Sequence, residues 1–384
     1  MIGSQDSANH FHVNGIMIGS HERGADYTWA LKAQKELRSS GQLEPAFNVG
    51  DGSDCISEGF ESVHPLTPRG MCFPHVLRNV RKYFGNIKNK ARVAMKESFV
   101  EDVKDLHRAW TVEVKSKAIS LFILKWEALS LIEGNNYLVE IVRLFRQQWL
   151  DKIRTNRWSY CDAPDNKNVD NNGLESYNKV LKDEVTDHRL PTLLLFFEHL
   201  QTWLSRHSGE RNPDAGPLFL KPFHTEPKPA KGEWEQSYEV CTSKSNKYNM
   251  FCEDGVAIML NPMSLNTKSL TKETYTVLKK QLQELDWARF ENYKSFLLKA
   301  FVVEKRQEKW RCSCYNFGLK HFCEHEHKAR WRYDDWRDIP KLHQRTEVQC
   351  FRKRGKGRPS NVASCMECTP SLIPESYDEE SDFE

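Results

Sequence analysis

The spacing of apolar residues changes along this chain, and the changes divide it into regions. Between about Pro74 and Arg157 apolar residues recur at intervals of three and four, as in Ile141, Leu144, Phe145 and Trp149. That is the stripe of an amphipathic helix, and it predicts an almost purely helical block. A second helical stretch is predicted from Leu174 to His207, interrupted near Pro191. The first 70 residues read instead as α/β. Phe11 to Ile18 is a β-prone run with Val13, Ile16 and Ile18, and Ala25 to Leu37 has helical character. Ala46-Phe47-Asn48-Val49 predicts a short strand that ends in Gly50-Asp51-Gly52. An Asp at a strand end sits where α/β folds expose functional groups, although Asp-Gly is also an ordinary turn dipeptide. Pro213 to Gly232, rich in Pro, Gly and charge, reads as a linker. A helix is predicted over Lys272 to Leu285, and short strands over Phe301-Val302-Val303 and around Trp310. From about Val348 the tail reads as disordered, basic over Arg352 to Pro359 and acidic from Asp378 to Glu384.

Composition sharpens this picture in a few places. The 384 residues suggest two or three domains, and a hydrophobic fraction of 39% suffices for a substantial core. The net charge of +3 makes the chain no polycation, so basic residues matter only where they cluster. The apolar run Ser120 to Leu124 stops at Lys125, and no segment reaches the ~18 residues of a membrane helix. The N-terminus lacks the charged and apolar regions of a secretory signal, so secretion is not expected. Eleven cysteines, an odd number, then suggest a reducing compartment in which tight pairs serve metal.

The tightest cysteines carry the most specific chemistry. Cys312-Ser313-Cys314 is followed after eight residues by Cys323-Glu324-His325. Three thiols and an imidazole are a full ligand set for one tetrahedral Zn2+, closed and therefore structural. In extended backbone, residues i and i+2 point the same way, so each pair can aim both ligands at one ion. His321 and His327 lie close enough to substitute for His325. Upstream, Cys72-Phe73-Pro74-His75 leads into a basic helix with Arg78, Arg81 and Lys82. Asn171-Asn172-Gly173-Leu174-Glu175-Ser176-Tyr177-Asn178 opens the second helical stretch.

In this order the motifs resemble those of the Mutator-like (MULE) transposases over roughly residues 10–335. The resemblance implies an RNase H-like core with a D-D-E acid triad, a large helical insertion and a downstream SWIM-type zinc finger. By position, Asp51 matches the second acid and Glu175 the third. Cys72 and His75 match the family's C-x-x-H, and Cys312, Cys314, Cys323 and His325 match the SWIM ligands. Three such carboxylates would hold two Mg2+ ions about 3.5–4 Å apart for strand transfer. The chain departs from the family at the first acid, whose strand would precede Phe11–Ile18. Asp6 is the only acid upstream of that run, in a polar segment without a strand pattern.

Taken together, these readings make the expected protein a truncated or domesticated transposase relative that binds zinc and DNA. Catalysis by this chain alone is not expected; Mg2+-dependent strand transfer and a SWIM protein-interaction adaptor are the alternatives. The expected organisation is a partial RNase H-like α/β segment (1–72), then the helical insertion with the third-acid helix (73–210). A linker (211–232), a SWIM zinc-finger region (233–345) and a disordered tail (346–384) follow. Gly357-Arg358-Pro359 resembles the core of an AT-hook, which nominates Arg354, Lys356 and Arg358 for DNA contact; the same run reads as a nuclear import signal. Cys365 and Cys368 form a C-x-x-C with no partner pair beyond Cys350. The implied partners are DNA and proteins docking on the SWIM module, with no membrane, and the implied location is the nucleus.

Overall fold

The computed structural model describes residues 1–337 except 38–43, 86–88, 133–135, 165–171, 190, 210–222, 263–269 and 307. Arg354, Lys356, Arg358 and the cysteines at 350, 365 and 368 therefore lie outside the described residues. The chain opens with an antiparallel hairpin of β1 (Ile2–Gln5) and β2 (Phe11–Gly15), Gln5 facing Phe11. Then come α1 (Gly24–Leu37), β3 (Asn48–Gly50), α2 (Asp54–Val63) and β4 (Arg69–Met71). β3 and β4 run parallel, with Asn48 opposite Arg69, which makes β3-α2-β4 a β-α-β unit. Leu31 of α1 packs with Phe60 and Val63 of α2, and Ile2 leans on the same cluster. The two helices approach closely because Gly59 lacks a side chain; a Cβ there would lie 2.4 Å from that of Tyr27.

The expected strands differ in detail from those observed. The run from Phe11 pairs only as far as Gly15, and the strand expected at Ala46–Val49 pairs over Asn48–Gly50. Asp6 does not lie in a strandless segment, because β1 directly precedes it. Ile2–Gln5 escapes a hydrophobicity pattern because its one large apolar residue is Ile2. Among the described residues, β1–β2 and β3–β4 are two separate pairs rather than one continuous sheet.

A helical block follows: α3 (Phe73–Tyr83), α4 (Lys90–His107), α5 (Val112–Ile132) and α6 (Asn136–Phe145), the last continuing as a π turn over Arg146–Leu150. Pro74 fits the first turn of α3, where no amide donor is required. The Asn89 side chain caps α4 by accepting from the Ala91 and Arg92 amides. Phe99, Phe122, Trp126 and Phe145 meet at tilted and edge-on angles in the core. Next come α7 (Asn172–Leu181), running into a π turn over Lys182–Thr186, and α8 (Leu193–Gly209). Val185, Leu200 and Trp203 form a small cluster with Val13 of β2 against it.

The last region contains α9 (Lys231–Thr242), β5 (Met250–Glu253), β6 (Val256–Leu260), α10 (Lys272–Glu284), α11 (Phe290–Lys299), β7 (Ala300–Arg306), β8 (Lys309–Cys312), α12 (Tyr315–Lys320) and α13 (Glu324–Tyr333). Its four strands form one antiparallel sheet in chain order. Residues alternate across that sheet as the pleat requires. Ile258, Leu260 and Val302 join the core of the helical block, while Ala257, Met259 and Val303 join Trp310 and the cysteines. The described residues all belong to one compact unit. No described helix is long and apolar enough to cross a membrane.

Buried charge also ties the last region to the block. The fully buried Asp102 carboxylate of α4 accepts from Lys125 (2.6 Å) and Trp126 Nε1 (3.0 Å) of α5, and from Lys294 (2.5 Å) of α11. Asp102→Asn keeps the shape but removes the charge. Both lysines can swing toward solvent, which limits the loss, so a cost of about 2–3 kcal/mol is expected in urea melts. An unchanged midpoint would show that the network contributes nothing net.

Candidate metal centre

Each ligand of the C-x-C…C-x-H motif stands at the end of a regular element. Cys312 closes β8, Cys314 is the N-cap of α12, Cys323 is the N-cap of α13, and His325 lies in the first turn of α13. Ser313 explains why the first pair converges. Its amide donates to the Val302 carbonyl (2.8 Å), and its hydroxyl accepts from the Val302 amide (2.9 Å). With Ser313 locked onto β7, Cys312 and Cys314 must point to the opposite side. Backbone amides then reach each sulfur: Cys314 N to Cys312 Sγ (3.4 Å), Phe317 N to Cys314 Sγ (3.3 Å) and Glu326 N to Cys323 Sγ (3.3 Å). Two of these sulfurs cap helix N-termini, where negative charge is favoured.

The four ligand atoms lie within 4.8 Å of one another, and all four residues are buried. Tetrahedral zinc with ordinary Zn–S and Zn–N lengths puts its ligand atoms roughly 3.5–3.8 Å apart, so small adjustments suffice. His325 Nδ1 is buried and has no hydrogen-bond partner among the described residues, as a ring awaiting a ligand role would be. Its ring rests on Phe301, with centroids 3.9 Å apart. Burial pushes the Cys312 and Cys323 thiols well above the usual range. Burial acts on Cys314 too, but hydrogen bonds from Cys312, Cys323 and His325 outweigh it and hold that thiol well below. The group thus competes for protons that a divalent cation would displace. The set can hold a metal ion such as zinc, closed on all sides.

His321 and His327 do not join it. His321 ends α12 in the left-handed conformation, with φ 54°. His327 stacks on Trp234 (5.0 Å, 13°) and against Phe322, where burial pushes its pKa down to about 3 and keeps it neutral.

The acids named by the sequence lie elsewhere in the same compact unit. Asp51 directly follows β3, and its Oδ1 accepts from Ser53 N (2.9 Å), turning the chain into α2. Cys72, at the end of β4, donates its amide to Gly50 O (2.7 Å), so the two strand ends are held side by side. Glu175, in the first turn of α7, lies 3.6 Å from His75 Nε2. The C-x-x-H thus touches both acidic segments, through Cys72 and through His75. Sequence reasoning missed Arg69, which reaches Ser57 Oγ and the Asp51 carbonyl (2.7 Å). Burial lowers its guanidinium to about 10, and nearby Asp51 opposes that shift.

Among the described residues, two groups of three or more side chains could share one metal ion: the Cys3His set and Asp6–His10–His224. Asp51 and Glu175 belong to neither. Asp6 is already engaged. Its Oδ1 accepts from Ala8 N (3.0 Å) and His10 N (2.7 Å), and its Oδ2 meets His224 N (3.1 Å) and His12 Nε2 (3.2 Å). A cation there would have to displace these donors.

The geometry therefore defines a buried Cys3His centre on a mixed α/β fold. Among known proteins, the chain is similar to the transposase for insertion sequence element IS905 of Lactococcus lactis subsp. lactis (strain IL1403), 23% identical over 149 residues. The match covers 38% of this chain, which spans 36% of that relative's length. No protein-family profile matches the chain, and no solved structure matches it.

Proposed function

We propose that this chain is a zinc-binding protein descended from a Mutator-like transposase, with a SWIM-type finger, a partial RNase H-like core and a nuclear, DNA-binding role. The buried Cys3His set carries the reading, because its ligand types, C-x-C…C-x-H order and closure all suit structural zinc. The likeness to the IS905 transposase supports a transposase-related origin and makes DNA a plausible partner. Bound zinc would supply folding free energy to the segment around α12 and α13, and the sulfur-directed amides would orient the ligands. Binding without cleavage is favoured because Asp51 and Glu175 are two carboxylates where two-metal chemistry uses three, and Asp6 is occupied by its own hydrogen bonds.

The test uses the full chain. Plasma mass spectrometry should find close to one zinc per chain. The zinc-loaded protein should bind duplex DNA in a salt-sensitive manner and leave it intact in Mg2+. Mg2+-dependent nicking that disappears in Glu175→Gln would replace this reading with strand transfer. A zinc-loaded chain with no affinity for DNA would leave the protein-adaptor role.

A further inference from the structure

From residue 62 to residue 96 the sequence contains no Asp or Glu, yet that stretch carries eight Lys and Arg residues. Four of them, Arg78, Arg81 and Lys82 on α3 and Lys96 on α4, line one groove of about 710 Å3 that begins at Pro74. Positions 74, 77, 78, 81 and 82 share one face of α3, opposite the buried Val76 and Val80, and Gly85 lies just past its end. None of the four cations has an ion-pair partner among the described residues. Elsewhere the helical block neutralises its cations, as in Lys104–Glu101, Lys125–Asp102, Arg143–Glu140 and Arg154–Glu61.

Local helix electrostatics accounts for only part of this cluster. Arg81 and Lys82 fall in the last turn of α3, where positive charge is favoured. Arg78 does not, and α4 opens with Lys90 and Arg92 and no acid, where positive charge is disfavoured. The charge is therefore held together against local preference, which is what an external polyanion would compensate.

We infer that this groove binds the phosphodiester backbone of duplex DNA, with Arg78, Arg81, Lys82 and Lys96 as its phosphate contacts. The inference rests on the DNA-binding reading above and gives it a location. From Pro74 to Tyr83, α3 rises roughly 14 Å, enough to accompany about four phosphates of one strand. The groove starts beside His75, whose ring lies 3.6 Å from Glu175, so a backbone lying along α3 passes the candidate carboxylate.

Fluorescence anisotropy of the full zinc-loaded chain on a labelled random-sequence duplex, titrated with salt, tests this. Replacing Arg78, Arg81, Lys82 and Lys96 together by Gln is expected to weaken binding by about 100-fold or more near physiological salt and to cut the salt slope by about 3–4. A charge-matched control that neutralises Lys104, Arg143, Arg154 and Lys305, all ion-paired, should change the slope far less. Should the fourfold variant misfold, Arg78→Gln with Lys96→Gln is expected to cut the slope by about 2. If the groove variants bind like wild type while neutralising Arg354, Lys356 and Arg358 abolishes binding, the groove assignment is wrong and the DNA reading survives. If the folded wild type binds no duplex, both fall. If polyglutamate competes as well as DNA, the groove takes acidic protein and the DNA assignment is overturned.

Discussion

Cys312→Ser combined with Cys323→Ser is expected to abolish zinc uptake and to melt the segment from β8 through α13, leaving the helical block folded. The packing around the centre explains the size of the effect. Three of the nine buried residues in that cluster, Cys312, Cys314 and Cys323, belong to the group that can hold the ion. Without the ion they become buried thiols competing for protons. α12 is six residues long, too short to persist on its own propensity, and its N-cap is a ligand. Structural zinc sites of this kind contribute on the order of 10 kcal/mol of metal-linked folding free energy. Plasma mass spectrometry reads the metal, and hydrogen exchange reads the fold. The Phe317 and Glu326 amides, which point at sulfur, should lose protection, while α5 amides keep theirs. Zinc content unchanged in the double variant would mean that the ion binds elsewhere. Lost zinc with unchanged protection would mean that the segment folds without it.

The ligands of this centre were legible in the sequence because their geometry is local. Each pair spans three residues; extended backbone aims Cys312 and Cys314, whereas the second pair is aimed by the first turn of α13 rather than by the extended backbone that the spacing suggests. Two features of the centre were not legible. Ser313 reads as a neutral spacer until its two bonds to Val302, eleven residues away, show that it sets the direction of both neighbours. The doubling of Cys314 and Cys323 as helix caps depends on where α12 and α13 begin, and cysteine is not a usual cap. The helical block was legible for a different reason: Ile141, Phe145 and Trp149 repeat at helical spacing and are all buried, because one stripe faces one core.

Long-range pairings left no such trace. His75 and Glu175 are 100 positions apart, and nothing in either motif requires them to meet. The β5–β6 hairpin does carry a local signal. Its two-residue turn, Asp254-Gly255, has positive φ at both positions (54° and 74°), the geometry that Asp-Gly favours between paired strands.

Asp6 is the clearest case of a role that lies outside local pattern, and its removal carries the second large expected effect. Its side chain is fully buried, and four donors converge on it, the most distant from His224, 218 residues along the chain. Asp6→Ala would strand the Ala8, His10 and His224 amides and the His12 ring, and loosen the β1–β2 turn from the segment at His224. A loss of about 3–4 kcal/mol is expected, since several charge-assisted bonds go at once and water can replace only some. The pH dependence separates this from a simple packing defect. Burial works against the Asp6 charge, but donation from the His224 and His10 amides and from His12 outweighs it and holds the carboxyl below its ordinary range. A carboxyl whose folded pKa lies below the unfolded value of ~3.9 contributes fully above that pH, and the contribution is lost as pH falls through the folded value. Urea melts at a series of pH values should therefore show wild type well above Asp6→Asn near neutrality and the two converging in acid. A gap that stays constant down to acid pH would mean that the Asp6 charge does not hold this corner together, and the site would again be open to a metal-ligand role with His10 and His224.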